Sequence, residues 1–271
     1  MKVPLITIAC LAVLFALERI FPLREQTRAL VGRLAVNALL SAFTFGVAMV
    51  LVRPAALKAL NWSANRPMGL LHVIEVPDSI GLLAAFLLLD LAFYYWHVFN
   101  HRVPFLWRFH NVHHFDPDLD VSTGFRFHFG EVAFSTIFRV VQVSLIGVSL
   151  PQFIAYEVIF QAGTLFHHSN VRLPIKLERI LGWIFVTPRM HGIHHSFFRD
   201  ETNSNYSVVF SFWDRLHGSL QLNIPETEIT IGVPGYGGPK DNQPWFALTA
   251  PFRRQRPYWS NATLKRGETK P

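Results

Sequence analysis

Long apolar runs separated by short polar segments set the pattern of this chain. From Leu34 to Val52 there is no charged side chain, and from Ser79 to Phe99 the only acidic or basic ones are Asp90 and His97. Shorter or interrupted runs cover Val3 to Leu17, Val132 to Leu150 and Pro151 to Phe166. Crossing a bilayer takes roughly 20 apolar residues, fewer within a bundle or hairpin. The pattern therefore predicts an all-α integral membrane bundle of about four to five apolar helices, the last two hinged near Pro151 as a hairpin. Lys2 before the first run imitates a secretory leader, but Glu18, Arg19 and Ile20 stand where small residues should mark cleavage, so a retained helix is expected.

Composition supports the same class. Of the 271 residues, 51% are hydrophobic and only 16% charged, with a mean hydropathy of +0.26; soluble domains carry about a quarter charged residues. The net charge of +7 is scattered at helix ends, which suits an anionic lipid surface rather than nucleic acid. The single cysteine, Cys10, lies in the first run and excludes disulfides and cysteine metal sites. Arg19, Arg24, Arg28 and Arg33 outnumber Glu18 and Glu25 between the first two runs, which places that segment in the cytoplasm. The third run then delivers its histidines to the cytoplasmic boundary, and the hairpin leaves and returns on that side. An outer loop with Arg53, Lys58 and Arg66 opposes this orientation. The expected organisation is 1–78, N-terminal membrane helices and loop; 79–220, a histidine-box domain with a cytoplasmic helical cap; and 221–271, a loop-rich cytoplasmic tail.

Eleven of the 13 histidines lie between positions 97 and 195, and all of these but His128 fall in short clusters. They read His97-x-x-x-His101, His110-x-x-His113-His114, His167-His168 and His191-x-x-His194-His195. Crowded imidazoles repel as cations, and a bound metal relieves this by holding them neutral. Because i, i+3 and i+4 share a helix face, each cluster can aim its rings at one point. The eight histidines of the three boxes exceed what one four- to six-coordinate ion needs, so two ions are expected. His168 is a further candidate ligand and His128 a possible one; His167, His72 and His217 are read as non-ligands. Asp90, Tyr94, His97 and His101 share one stripe, so Asp90 and Tyr94 are candidates to orient the ligands. The box at 110–114 is expected as an interfacial helix with Trp107 and Phe109 at headgroup depth. Asp116 could accept hydrogen bonds from the site, whereas Asp118 and Asp120 read as solvated turn residues around Pro117.

These boxes resemble the fatty acid hydroxylase superfamily, which includes the sterol desaturases. The resemblance runs from about Asp90 to Gly218 and includes Asp90 to Tyr95, Ser122 to His128, His168-Ser169-Asn170, Thr187-Pro188-Arg189-Met190, Asn205-Tyr206 and Trp213-Asp214-Arg215. It implies a membrane di-iron enzyme that uses O2 and electrons to oxidise a lipid C–H bond, by hydroxylation or desaturation of a sterol or fatty acyl chain. The eight boxed histidines would be its ligands, and His128, Asn170 and Asp214 possible additional metal or supporting residues. One departure is Phe129, where the family commonly has proline. No haem or flavin fingerprint is evident, so a separate ferredoxin- or cytochrome b5-like donor and its reductase are expected. The compact length without a retrieval signal favours a bacterial plasma membrane, or the endoplasmic reticulum in a eukaryote.

Two other classes compete. A zinc hydrolase would need a carboxylate base beside an open metal position, but there is no His-Glu-x-x-His and Glu131, Glu157 and Glu201 stand in no box. A metal transporter would hold its ligands near the bilayer midplane on broken helices.

Overall fold

The computed structural model describes residues 2–66, 68–74 and 77–259. Helix α1 (Lys2–Ile20) turns its last residues inward: Glu18 is buried and accepts hydrogen bonds from the backbone of Val121 and Asn170. Helix α2 (Leu30–Val47) passes through a π-helical turn (Ala48–Val52) straight into α3 (Arg53–Asn65). Arg53 and Lys58 are therefore helical rather than in the expected loop. Pro54 cannot donate an intrahelical hydrogen bond, and the π-helical turn lies immediately before it, while Ala55, Ala56, Leu57 and Lys58 all favour helix. A single turn, α4 (Leu70–Val73), precedes the long α5 (Asp78–Arg102). Pro104 then opens α6 (Pro104–His114).

A 3-10 turn (Val121–Phe125) leads to α7 (Phe129–Ile146), capped by Gly147 at φ +75°, a conformation that costs glycine little. Ser149 and Gln152 form a capping box, with Pro151 in the first turn, and so start α8 (Leu150–His168). α7 and α8 follow one another through the short link 147–149, and each packs on α5. The cap follows as α9 (Ile175–Leu181), α10 (Pro188–His194), α11 (Arg199–Thr202), α12 (Phe212–His217) and α13 (Pro244–Thr249). There is no strand among the described residues, only isolated bridges.

Among the described residues, three helical stretches are long and apolar enough to cross a membrane: Leu30–Val73, Asp78–Arg102 and Phe129–Ile146. Val50, Leu83, Ile137 and Leu145 on them are exposed, as lipid-facing side chains should be. α8 is not among the three, because Gln152, Glu157 and Gln161 interrupt its apolar run; it packs beside α1.

Two apolar cores result. One lies in the bundle, around Ala85, Leu89, Val143 and Tyr156. The other joins Val36 and Leu40 of α2 and Trp107, Val112 and Phe115 to the tail residues Val233, Tyr236, Ala247 and Ala250. This corrects one expectation. Trp107 and Phe109 are buried, packed against Trp259 and Phe252 of the tail, rather than lying at the membrane surface.

Asp118 and Asp120 are corrected as well. With Asp116 they are buried. Asp116 and Asp120 grip the Arg33 guanidinium at 2.9 and 2.7 Å, and Asp118 accepts the backbone N–H groups of Thr27 and Arg28. Burial alone would raise the Asp116 carboxyl, but Arg33 and Arg126 overcome it and bring it down to about 2. This cluster ties α2 to the segment that follows α6; it does not touch the imidazoles.

Candidate metal centre

Helix geometry brings the boxes together. α5 ends with His97 and His101 one turn apart; α6 carries His110, His113 and His114. α8 ends on His168. Thr187 caps α10 through Met190 N–H and Pro188 opens it, which fixes His191 and His194, with His195 just beyond. His97, His101, His110, His114 and His194 form one buried group, and His113, His168, His191 and His195 a second. Within each group one potential ligand atom per ring lies within 4.8 Å of the others.

The expectation that each cluster aims at one point is therefore wrong in detail. Adjacent helical residues point about 100° apart, so His113 and His114 diverge. His110 and His114 serve the first group and His113 the second; in the last box His191 and His195 serve the second and His194 the first. Each His-x-x-His-His box thus spans both groups, which keeps them adjacent: the rings of His114 and His195 stack at 4.2 Å.

The rings present their Nε2 atoms inward. His97 Nδ1–H donates to Tyr206 O, His194 Nδ1–H to Ser204 O and His168 Nδ1–H to Thr164 O, each at 2.7 Å. His110 Nδ1 lies 2.9 Å from Glu131 Oε1. Such bonds fix the tautomer and leave the Nε2 lone pair for a metal. In the second group the Nε2 atoms of His113, His168, His191 and His195 follow one another at 3.0–3.1 Å. Nitrogens held about 2.1 Å from one ion at near-tetrahedral angles would lie roughly 3.4 Å apart, so this convergence fits a metal. Both ring nitrogens of His101 and Nε2 of His194 are buried without a hydrogen-bond partner, which costs free energy unless an ion takes them up. Burial first, and neighbouring imidazoles second, hold His113, His114, His191 and His195 well below the ordinary value near 6.5. Neutral imidazole is the form a metal requires. The residues present fit a pair of metal ions.

The remaining candidates support rather than converge. His128 caps α7: its Nδ1 accepts from Gly130 N–H and its Nε2–H donates to Leu248 O. Phe129 is the first helical residue, a position where proline is equally at home, so the departure from the family pattern leaves the backbone intact. Asp90 accepts from Trp213 Nε1 and Phe210 N, and Tyr94 pairs with Ser219 and stacks on His217, outside both groups. Asp214 accepts from the backbone of Tyr206 and Ser207 and so steadies the carbonyl that receives His97. Asn170 holds the backbone of Arg24. His167 donates to Val208 O, and its ring lies 4.1 Å from that of His191, outside both groups. His72 and His217 stand apart from the groups. Sequence reasoning missed Glu131, whose signal was its place in the first turn of a helix capped by a histidine.

A cavity of about 340 Å³ opens on this centre. His97, His110, His113, His168 and His191 line one end, and Phe45, Val52, Phe93 and Phe160 of the bundle line its body.

The fatty acid hydroxylase family matches residues 82–219, and the chain belongs to that family. Among curated relatives, ornithine lipid hydroxylase OlsE of Rhizobium tropici is 30% identical over 59% of this chain and 47% of its own length. Human cholesterol 25-hydroxylase is 30% identical over 60% of this chain and 59% of its own length. Human alkylglycerol monooxygenase is 30% identical over 51% and 30% respectively. The match thus spans less than two thirds of the length of each of these relatives. No solved structure matches the chain.

Proposed function

We propose that this protein is a membrane-bound di-iron oxygenase that hydroxylates a C–H bond of a lipid. The observation that carries the reading is the convergence of nine buried imidazoles in two adjacent groups at the end of an apolar cavity. Imidazole suits iron and survives oxidising chemistry that would consume thiolates. Bound there, such a pair would supply activation of O2, with electrons from outside, sufficient to break an unactivated C–H bond.

The chain's own residues bind, orient and shield. Tyr206, Ser204 and Thr164 carbonyls and the Glu131 carboxylate hold the rings in register. Phe127 stacks on His113 at 4.5 Å, and Trp107 covers His101 and His114, which limits water at the centre. The cavity between α2, α5, α7 and α8 gives an apolar chain a path from the bilayer to the imidazoles. Hydroxylation is favoured over desaturation because the relatives are named as hydroxylases and a monooxygenase. Electrons would come from a ferredoxin- or cytochrome b5-like protein and its reductase, acting on the cytoplasmic face, a reading supported by the excess of arginine between the first two apolar runs.

Purified protein in lipid nanodiscs, supplied with reduced carrier and membrane lipid, should consume O2 and convert lipid to a product one oxygen heavier. Bound zinc with hydrolysed lipid and no O2 uptake would refute the reading.

A further inference from the structure

The far end of the same cavity is not apolar. Arg139 of α7 and Glu157 of α8 both line it and form an ion pair at 2.7 Å. The guanidinium lies over Phe93 and Phe153 and donates to Gln142, which in turn donates to Leu89 O, so Arg139 is held from several sides. Gln161, one turn after Glu157, faces the same space. A charged group on an apolar membrane helix, as Arg139 is on α7, is costly and kept where it meets a partner or a pathway. On α8 the pair stands eleven residues before His168, a rise of roughly 16 Å at 1.5 Å per residue.

Resting on the oxygenase reading, we propose that Arg139 and Glu157 recognise a neutral hydroxyl at the end of the substrate remote from the oxidised carbon. A hydroxyl can accept from the guanidinium and donate to the carboxylate at once, which satisfies both members of a pair with no net charge. An anionic head would gain from Arg139 but meet the repulsion of Glu157. A hydrocarbon end would desolvate both without replacing their hydrogen bonds, which is costly. The cavity thus takes a lipid alcohol with its oxygen at the ion pair and its chain reaching the imidazoles, rather than an acyl chain that enters methyl end first.

The test is binding, read by fluorescence of Trp96 in the cavity wall, on the full chain in detergent. The probes are tetradecan-1-ol, tetradecane and tetradecanoate. Wild-type protein should bind the alcohol at least about tenfold more tightly than either other probe, the equivalent of 1.4 kcal/mol. Glu157→Gln should reverse the order of alcohol and carboxylate, because Arg139 is then an unpaired cation; a merely structural pair would not give that exchange. Equal binding of alcohol and hydrocarbon by the wild type, or an unchanged order in Glu157→Gln, would overturn the proposal. Binding needs no turnover, so loss of the hydroxyl preference with iron and O2 uptake intact rejects this inference alone. Loss of iron and O2 uptake rejects the oxygenase reading instead.

Discussion

Glu131 Oε1 lies 2.9 Å from His110 Nδ1, which puts a carboxylate in direct hydrogen-bond contact with an imidazole of the first group. A carboxylate there makes the ring a better donor through Nε2 and fixes its plane. Glu131→Ala should lower metal affinity or activity by about 10- to 100-fold, as loss of such a partner does at other metal sites. Glu131→Gln should fall between, since the amide oxygen still accepts but carries no charge. Metal titration of both variants checks the order.

His128 shares the family-like segment but not the convergence. His128→Ala removes the cap of α7 and the bond to Leu248, so it should destabilise the fold by about 1–2 kcal/mol. Its metal content should equal that of the wild type. Thermal unfolding and elemental analysis of one preparation separate the two effects.

Gly192, inside the last box, is small for a reason. A Cβ there would collide with the Arg24 guanidinium, which donates to Pro188 O and pairs with Glu226. Gly192→Ala should displace Arg24 and loosen α10, with reduced metal retention by a segment whose histidines are untouched. Retention equal to wild type under a chelator challenge would contradict this.

The Arg33–Asp116 pair predicts an acid-sensitive stability. Asp116 falls to about 2 in the folded chain from an ordinary 3.8. A depressed carboxyl stabilises fully above its unfolded value, and that contribution is lost as pH falls from about 4 toward 2. At about 1.4 kcal/mol per pKa unit the loss is on the order of 2 kcal/mol. Asp116→Asn should be less stable than wild type at pH 7, and the gap should close in that acid window, as followed by denaturant unfolding.

Much of the site was legible because period and chemistry coincide. The i, i+3 and i+4 spacings of His110, His113 and His114 name residues that a helix presents close together, and the apolar runs announce α5 and α7. The split of each box between two groups also follows from helical geometry, but only once the partner helices are in place. Other features depend on distant segments. Asp118 and Asp120 look like turn residues until Thr27, Arg28 and Arg33 arrive from α2 and the loop before it. Trp107 looks interfacial until the tail covers it with Trp259. Glu157 looks like an interruption of α8 until Arg139 stands opposite on α7.

The most direct test of the account is the metal count of the purified chain and of two histidine variants, by elemental mass spectrometry with Mössbauer spectroscopy. The wild type should hold two irons per chain. His101→Ala and His191→Ala, which disable different groups, should each retain less than the wild type, each with the loss centred on one of two distinguishable iron signals. A single ion in the wild type, zinc in place of iron, or identical spectra for the two variants would contradict the paired centre.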